Sequence, residues 1–223
     1  MHPLLISACA QADDCIAAAL GHAPGARTVP SPRGTLASAA PRSCGADADT
    51  LAERLVLSGT WLEGVQADNG FLNFTLSAQW CDVVVRQPWS APPLEGLAAL
   101  KHPFPASIHP FDRAFFCTLR GKAPQPELIA RQDRTNPGWL LRVTLRRLEH
   151  IEARCACSTA WTAEARALLL LLARYEESAS AKRQALYLSQ VCQELWCFGP
   201  LRLSAPLNRF AQGVLRSGCQ SIR

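Results

Sequence analysis

The chain's 223 residues are 48% hydrophobic and 18% charged, which excludes wholesale disorder and allows one large or two small domains. The formal net charge of +5 is unevenly spread: from Arg131 to Arg223, 13 Arg and one Lys stand against 7 acidic residues, whereas residues 1 to 130 carry 9 basic and 11 acidic groups. A basic C-terminal part suits a polyanionic partner, because Arg and Lys bind phosphates by displacing counterions, although a solvated helical face gives the same pattern.

Residues 1 to 20 place Leu4, Leu5, Ala8, Ile16, Ala19 and Leu20 with the spacing of an amphipathic opening helix. Residues 21 to 48, rich in Pro, Gly, Ala and Ser, read as loop with one short strand. Asp49 or Thr50 caps a helix expected over Leu51 to Ser58. Two strand-like runs follow, Leu62 to Ala67 and Phe71 to Leu76, joined through Asp68-Asn69-Gly70, a strong hairpin signal because Asn and Gly accept positive φ. Ser77 then caps a helix containing Trp80, Val83 and Val84.

Between Gln87 and His109 five prolines rule out a long helix or a central strand, and the stretch reads as a linker. A short helix is expected from Pro110 to Leu119, with a break at Gly121 to Pro126. Glu127 to Arg134 then leads to Asn136-Pro137, which opens a long helix with Leu141, Leu145, Leu148 and Ile151 on one face. Ser158 or Thr162 starts the next helix, which carries Leu168 to Leu172 and Tyr175. Two more helices cover Ala181 to Phe198 and Leu207 to Gln220. The expected fold class is therefore α+β: a small α/β domain at 1–86 with an antiparallel hairpin or sheet, a proline-rich linker at 87–109, and an all-α bundle at 110–223.

The opening, MHPLLISACAQADDC, has no basic n-region, and Gln11, Asp13 and Asp14 interrupt its apolar run. No secretory leader and no membrane span are expected, which places the protein in the cytoplasm with reduced thiols. Among the ten cysteines, Cys155 and Cys157 form C-x-C and Cys192 and Cys197 form C-x4-C, without the C-x2-C pair or spaced histidines of a zinc site. They read as small buried hydrophobes, and neither a metal nor another cofactor is expected. Nor do the five histidines, His2, His22, His102, His109 and His150, stand in a catalytic or ligating pattern, and no phosphate-binding glycine loop is present.

Three stretches carry a resemblance to a known family, the second of them running in two parts from Asp112 to Arg154. Asn69-Gly70-Phe71-Leu72-Asn73-Phe74-Thr75-Leu76-Ser77, followed by Trp80, is similar to the G-F/Y-I/L-N-F/I-x-L-S segment that ends the N-terminal additional domain of arginyl-tRNA synthetases. Arg113-Ala114-Phe115-Phe116 through Arg120 resembles that family's R-F-F-F-L-x-R helix. Ala130-Arg131-Gln132 through Asn136-Pro137, with Trp139 and Arg147, resembles the opening of its DALR anticodon-binding domain. Val214-Leu215-Arg216-Ser217-Gly218 is similar to the helix that closes that domain. The matches follow the family's order, but the interval that holds the synthetases' catalytic domain, with its H-I-G-H and K-M-S-K signatures, holds only the linker here.

The resemblance implies an N-terminal-like domain joined to a DALR-type bundle, and binding of an arginine-type tRNA without an aminoacylation site. In the family the aromatic and the Asn of the first motif contact a D-loop base, which corresponds here to Phe71 and Asn73; as plain structure, Phe71 is hairpin core and Asn73 a turn residue. In the DALR motif Asn136, Pro137 and Arg147 persist, while Arg142, Val143 and Leu145 replace the usual Gln, Tyr and His. Arg142 and Arg146, four apart, are candidates to grip phosphates, or belong to a solvated face. Trp139 stacks on a loop base or sits in the core, and Arg209 and Arg216 are candidates of the same kind on the last helix. Such a chain would act as an adaptor presenting tRNA to a modifying enzyme or a synthetase. The alternatives are a subunit or remnant that completes an arginine-tRNA ligase in trans, and a protein-interaction module without RNA affinity.

Overall fold

A computed structural model describes residues 1–31, 33–87, 108–120, 126–151, 161–174, 180–199 and 202–220. The expected linker (apart from Gln87, Ile108 and His109), the Cys155–Cys157 pair, Ser158 and Tyr175 lie outside the described residues. The chain divides into two compact units, one formed by Met1–Gln87 with Ala160–Arg174 and the other by Pro88–Thr159 with Tyr175–Arg223. The fold is α+β, with ten helices and one four-stranded antiparallel sheet among the described residues.

The first unit is built on the strands β1 (Val29–Pro30), β2 (Leu36–Ser38), β3 (Leu62–Asp68) and β4 (Phe71–Leu76), in spatial order β1-β2-β4-β3. β4 is central because its alternation is the cleanest in the chain: Leu72, Phe74 and Leu76 are buried on one face, and Phe71, Asn73 and Thr75 point the other way. Asn69 and Gly70 both take positive φ, 50° and 74°, as a tight hairpin requires, so the Asn-Gly signal gives the turn it predicts. The segment 21–48 is more structured than its composition suggests. Besides β1 and β2 it contains α2 (Ala40–Cys44), and Ala48 starts α3 (Ala48–Arg54). Asp47, not Asp49 or Thr50, caps α3: its carboxylate accepts from the Thr50 amide at 2.8 Å and hydroxyl at 2.7 Å.

α1 (Pro3–Leu20) is capped by the His2 imidazole, whose Nδ1 accepts from the Leu4 amide at 3.2 Å. By length and composition this helix is apolar enough to cross a membrane, contrary to the sequence expectation that no segment approaches a span. Within the fold, Leu5, Ala8, Ala12, Cys15 and Ile16 form a buried face, and Asp13, one of the acids that interrupt the apolar run, accepts from the Thr28 amide at 2.8 Å. α4 (Ala78–Arg86) starts at Ser77, whose hydroxyl accepts from the Trp80 amide; the buried Trp80 indole then donates to the Leu4 carbonyl at 3.0 Å, joining α4 to α1.

The largest departure from expectation is α8 (Ala163–Ala173), which the sequence places in a continuous bundle at 110–223 but which belongs to the first unit. Trp161 donates to Asp82 of α4 at 2.8 Å, Arg166 pairs with Glu63 and donates to the Leu76 carbonyl, and the His2 amide donates to the Ala173 carbonyl at 2.8 Å. Its apolar run, Leu168 to Leu170 with Leu172 and Ala173, is buried.

The second unit consists of α5 (Pro110–Arg120), α6 (Pro126–Ile129), α7 (Pro137–Ile151), α9 (Ala181–Phe198) and α10 (Ala205–Gln220). α7 packs against α5, α9 and α10. The leucine stripe expected on α7 is rotated: Gly138, Leu140, Leu141, Thr144 and Leu148 are buried, and Leu145 and Ile151 only half-buried. Asn208 and Gln212 of α10, both buried, donate to the Leu148 carbonyl in the last turn of α7. Cys15, Cys81, Cys117 and Cys192 are free thiols in buried positions, and burial pushes Cys81 up to about 12.

Candidate nucleic-acid interface

Two groups of side chains stand out, one in each unit. The first lies on the outward face of the sheet. Because β4 alternates, Phe71 and Asn73 share that face and stand about 7 Å apart along the strand. Across the hairpin Phe71 pairs with Asp68, and Asn73 with Gln66; on its other side Asn73 pairs with Ala37 of β2. Neither is core: both are half-buried, and the buried set of β4 is the opposite one. The guanidinium of Arg42 lies 4.3 Å from the centroid of the Phe71 ring and also donates to the Asn69 carbonyl. This fixes an Arg–aromatic stack at the hairpin end of the sheet, next to an exposed Arg33–Asp68 pair at 2.8 Å. The arrangement offers a ring edge, a fixed cation and the Asn73 and Gln66 amides, suited to stacking, charge and polar base edges.

In the second unit the structure separates the expected residues. Asn136 is fully buried, and its side chain is wholly engaged: Oδ1 accepts from the Gly138 and Trp139 amides, and Nδ2 donates to the Ile129 and Arg131 carbonyls at 2.6 and 3.1 Å. It caps α7 and ties the α6–α7 turn to it, so its assignment to RNA contact is corrected to a structural one. Arg142 is corrected likewise. Its Nε and Nη2 each reach an oxygen of Asp112 at 2.6 Å, and that carboxylate is buried in the first turn of α5. Its planar fork is committed inside the bundle because the rotated face of α7 turns Arg142 toward α5 and not toward solvent.

The remaining candidates stay near the surface. Trp139 is half-buried; Arg146, Arg147 and Arg209 are exposed. Arg216 is exposed but bonded to Glu149 at 3.2 Å and to Gln212 at 2.9 Å. Arg147 does more than face solvent: its guanidinium lies 4.2 Å from the centroid of Trp196 on α9, and Arg134 lies over the same ring at 5.4 Å. Sequence reasoning missed Arg42, Arg134 and Trp196. No local pattern marks them, since each acquires its partner through the packing of segments distant in sequence.

Chemistry of other kinds finds little support among the described residues. No group of three or more His, Cys, Asp or Glu is placed to hold a metal ion. His109 caps α5 by accepting from the Phe111 amide at 3.2 Å, and its pKa lies below the ordinary value, first through burial and then through the Arg142 charge. Its observed role is therefore a helix cap.

Neither a family model, nor a curated protein, nor a solved structure matches the chain.

Proposed function

We propose that the protein binds RNA, and specifically an arginine-type tRNA, as a cytoplasmic adaptor that carries no aminoacylation chemistry and hands its cargo to a modifying enzyme or a synthetase. The observation that carries this reading is the outward face of β4, where Phe71 and Asn73 stand beside a guanidinium already stacked on the ring. The part of that ring left exposed beside Arg42 can stack on an unpaired base, and the neighbouring amides supply hydrogen bonds that distinguish base edges. The likeness of this segment to the arginyl-tRNA synthetase motif supports tRNA as the cargo.

The test is binding to a panel of tRNA transcripts across a salt series. The parent is expected to bind with an affinity that falls as salt rises. Phe71→Leu should weaken binding by about tenfold, the scale of one base–aromatic stack, whereas Asn73→Ala should chiefly reduce discrimination among tRNAs. If the parent shows no salt-dependent RNA binding, the reading fails. A protein-interaction module is then the better account, a reading favoured by the use of Asn136 and Arg142 as internal supports. Co-purification with a separate catalytic chain would instead favour the trans-acting ligase subunit.

A further inference from the structure

Trp196 is the one ring among the described residues with two guanidiniums over it, those of Arg134 and Arg147. The two arginines come from different places, Arg134 from the α6–α7 turn and Arg147 from α7 itself, while the indole comes from α9. Both arginines are exposed and Trp196 is half-buried, anchored beside the buried Leu195 and Cys192 of its helix.

Among the described residues, neither Arg134 nor Arg147 takes part in an ion pair. The nearest acids in sequence are occupied elsewhere: Asp133 accepts from the Thr135 amide at 2.7 Å and from its hydroxyl, and Glu149 pairs with Arg216. Glu194 is two residues before Trp196 on a helix, a spacing that puts the two side chains on different faces. Two like charges held at one ring repel each other, and an exposed cation–π interaction offsets that repulsion only weakly. The cluster is therefore complementary to an anion. It is also held in place. The buried Asn136 clasp fixes the turn two residues after Arg134, and Arg147 directly precedes the buried Leu148. Among the described residues neither guanidinium donates a hydrogen bond, and a planar guanidinium carries five N–H donors suited to phosphate oxygens. Arg131, in the same turn as Arg134, is exposed as well, and three guanidiniums suit a repeating polyanion better than a single phosphate.

We infer that Arg134, Arg147 and Trp196 form a second site, one that binds the phosphodiester backbone of RNA. The inference takes its ligand class from the proposed function but does not depend on the sheet face. In the parent, the indole N–H resonance of Trp196 is followed by NMR while an unstructured oligouridylate or inorganic tripolyphosphate is added. Oligouridylate should shift the signal. The Arg134→Gln/Arg147→Gln double variant should weaken binding of every RNA. It should also lower the slope of log affinity against log salt by about 0.7 for each single-strand phosphate that is no longer neutralised. Trp196→Leu, which keeps both charges, should weaken binding with a smaller change in slope. A Trp196 signal unmoved by oligouridylate, or moved by tripolyphosphate alone, overturns the inference, as does a double variant with parental affinity and slope. If Phe71→Leu and Asn73→Ala leave RNA binding unchanged while the arginine variants weaken it, the sheet face is rejected and this site stands.

Discussion

Arg142 and Asp112 form the one ion pair among the described residues in which both partners are largely withdrawn from water, with side-chain exposures of 21% and 6%. Removing the arginine leaves a buried carboxylate without two of its hydrogen bonds. Arg142→Met should therefore destabilise the second unit by about 3–5 kcal/mol, read from denaturant unfolding. An unchanged unfolding midpoint would show that the pair is not structural. His2 gives a pH-dependent counterpart. Burial first, and then the nearby N-terminal ammonium, lower its pKa from 6.5 to about 4, so the imidazole stays a neutral acceptor for the Leu4 amide. Between pH 6.5 and about 4 the unfolded chain takes up a proton that the folded chain refuses, so stability falls as pH is lowered through that window and levels off below it. His2→Asn keeps a capping acceptor and does not titrate. Its melting temperature should fall less steeply over the same range, and parallel curves for parent and variant would remove His2 as the cause. At this scale the sequence singled out Asn136 and Arg142 for RNA contact and missed their internal roles, because a polar residue before or within a helix reads alike whether it faces solvent or a buried partner.

The elements divide by how local their cause is. The β3–β4 hairpin was legible because its determinants, Asn69-Gly70 and the alternation of Leu72, Phe74 and Leu76, lie within a dozen residues. The reading of Phe71 as hairpin core and Asn73 as a turn residue is not met, because both lie within β4 on the face opposite its buried side chains. Where β1 and β2 lie, only one short strand was expected and its position was not legible, since strands of two and three residues carry no period of their own and exist by pairing, with β2 joined to β4 at Leu36–Phe74 and Ala37–Asn73. α7 was legible as a helix but not in its rotation, which follows from packing against three neighbours. Its first turn comes so close to α5 that a methyl group at Gly138 would lie 2.5 Å from the Cα of Asp112, a backbone atom that cannot swing aside. Gly138→Ala should therefore cost about 1–3 kcal/mol despite its better helix propensity. A gain in melting temperature would mean that α5 and α7 are less closely set.

At the scale of the whole molecule, the chain passes from one unit to the other three times, after Gln87, after Thr159 and after Arg174. Hydrophobic patterning identified α8 as a buried helix but carried no information about which core receives it, so the domain boundary drawn from composition assigned it to the wrong body. A fragment of residues 1–87 lacks Leu168, Leu169, Leu170 and Leu172, and burial of each such side chain contributes about 1.5–3 kcal/mol. That fragment should lack a cooperative thermal transition, and adding residues 160–174 through a flexible tether should restore one; a fragment that melts like the parent would show α8 to be dispensable. The hydrogen bond from the His2 amide to the Ala173 carbonyl also has a consequence for synthesis. Residues 1–87 leave the ribosome before a helix that is made only after an intervening segment of 72 residues, Pro88–Thr159, a delay of several seconds at ordinary elongation rates. Over that interval the nascent chain exposes the surface that α8 will cover, so the yield of folded protein should depend on translation speed and on the supply of holding chaperones.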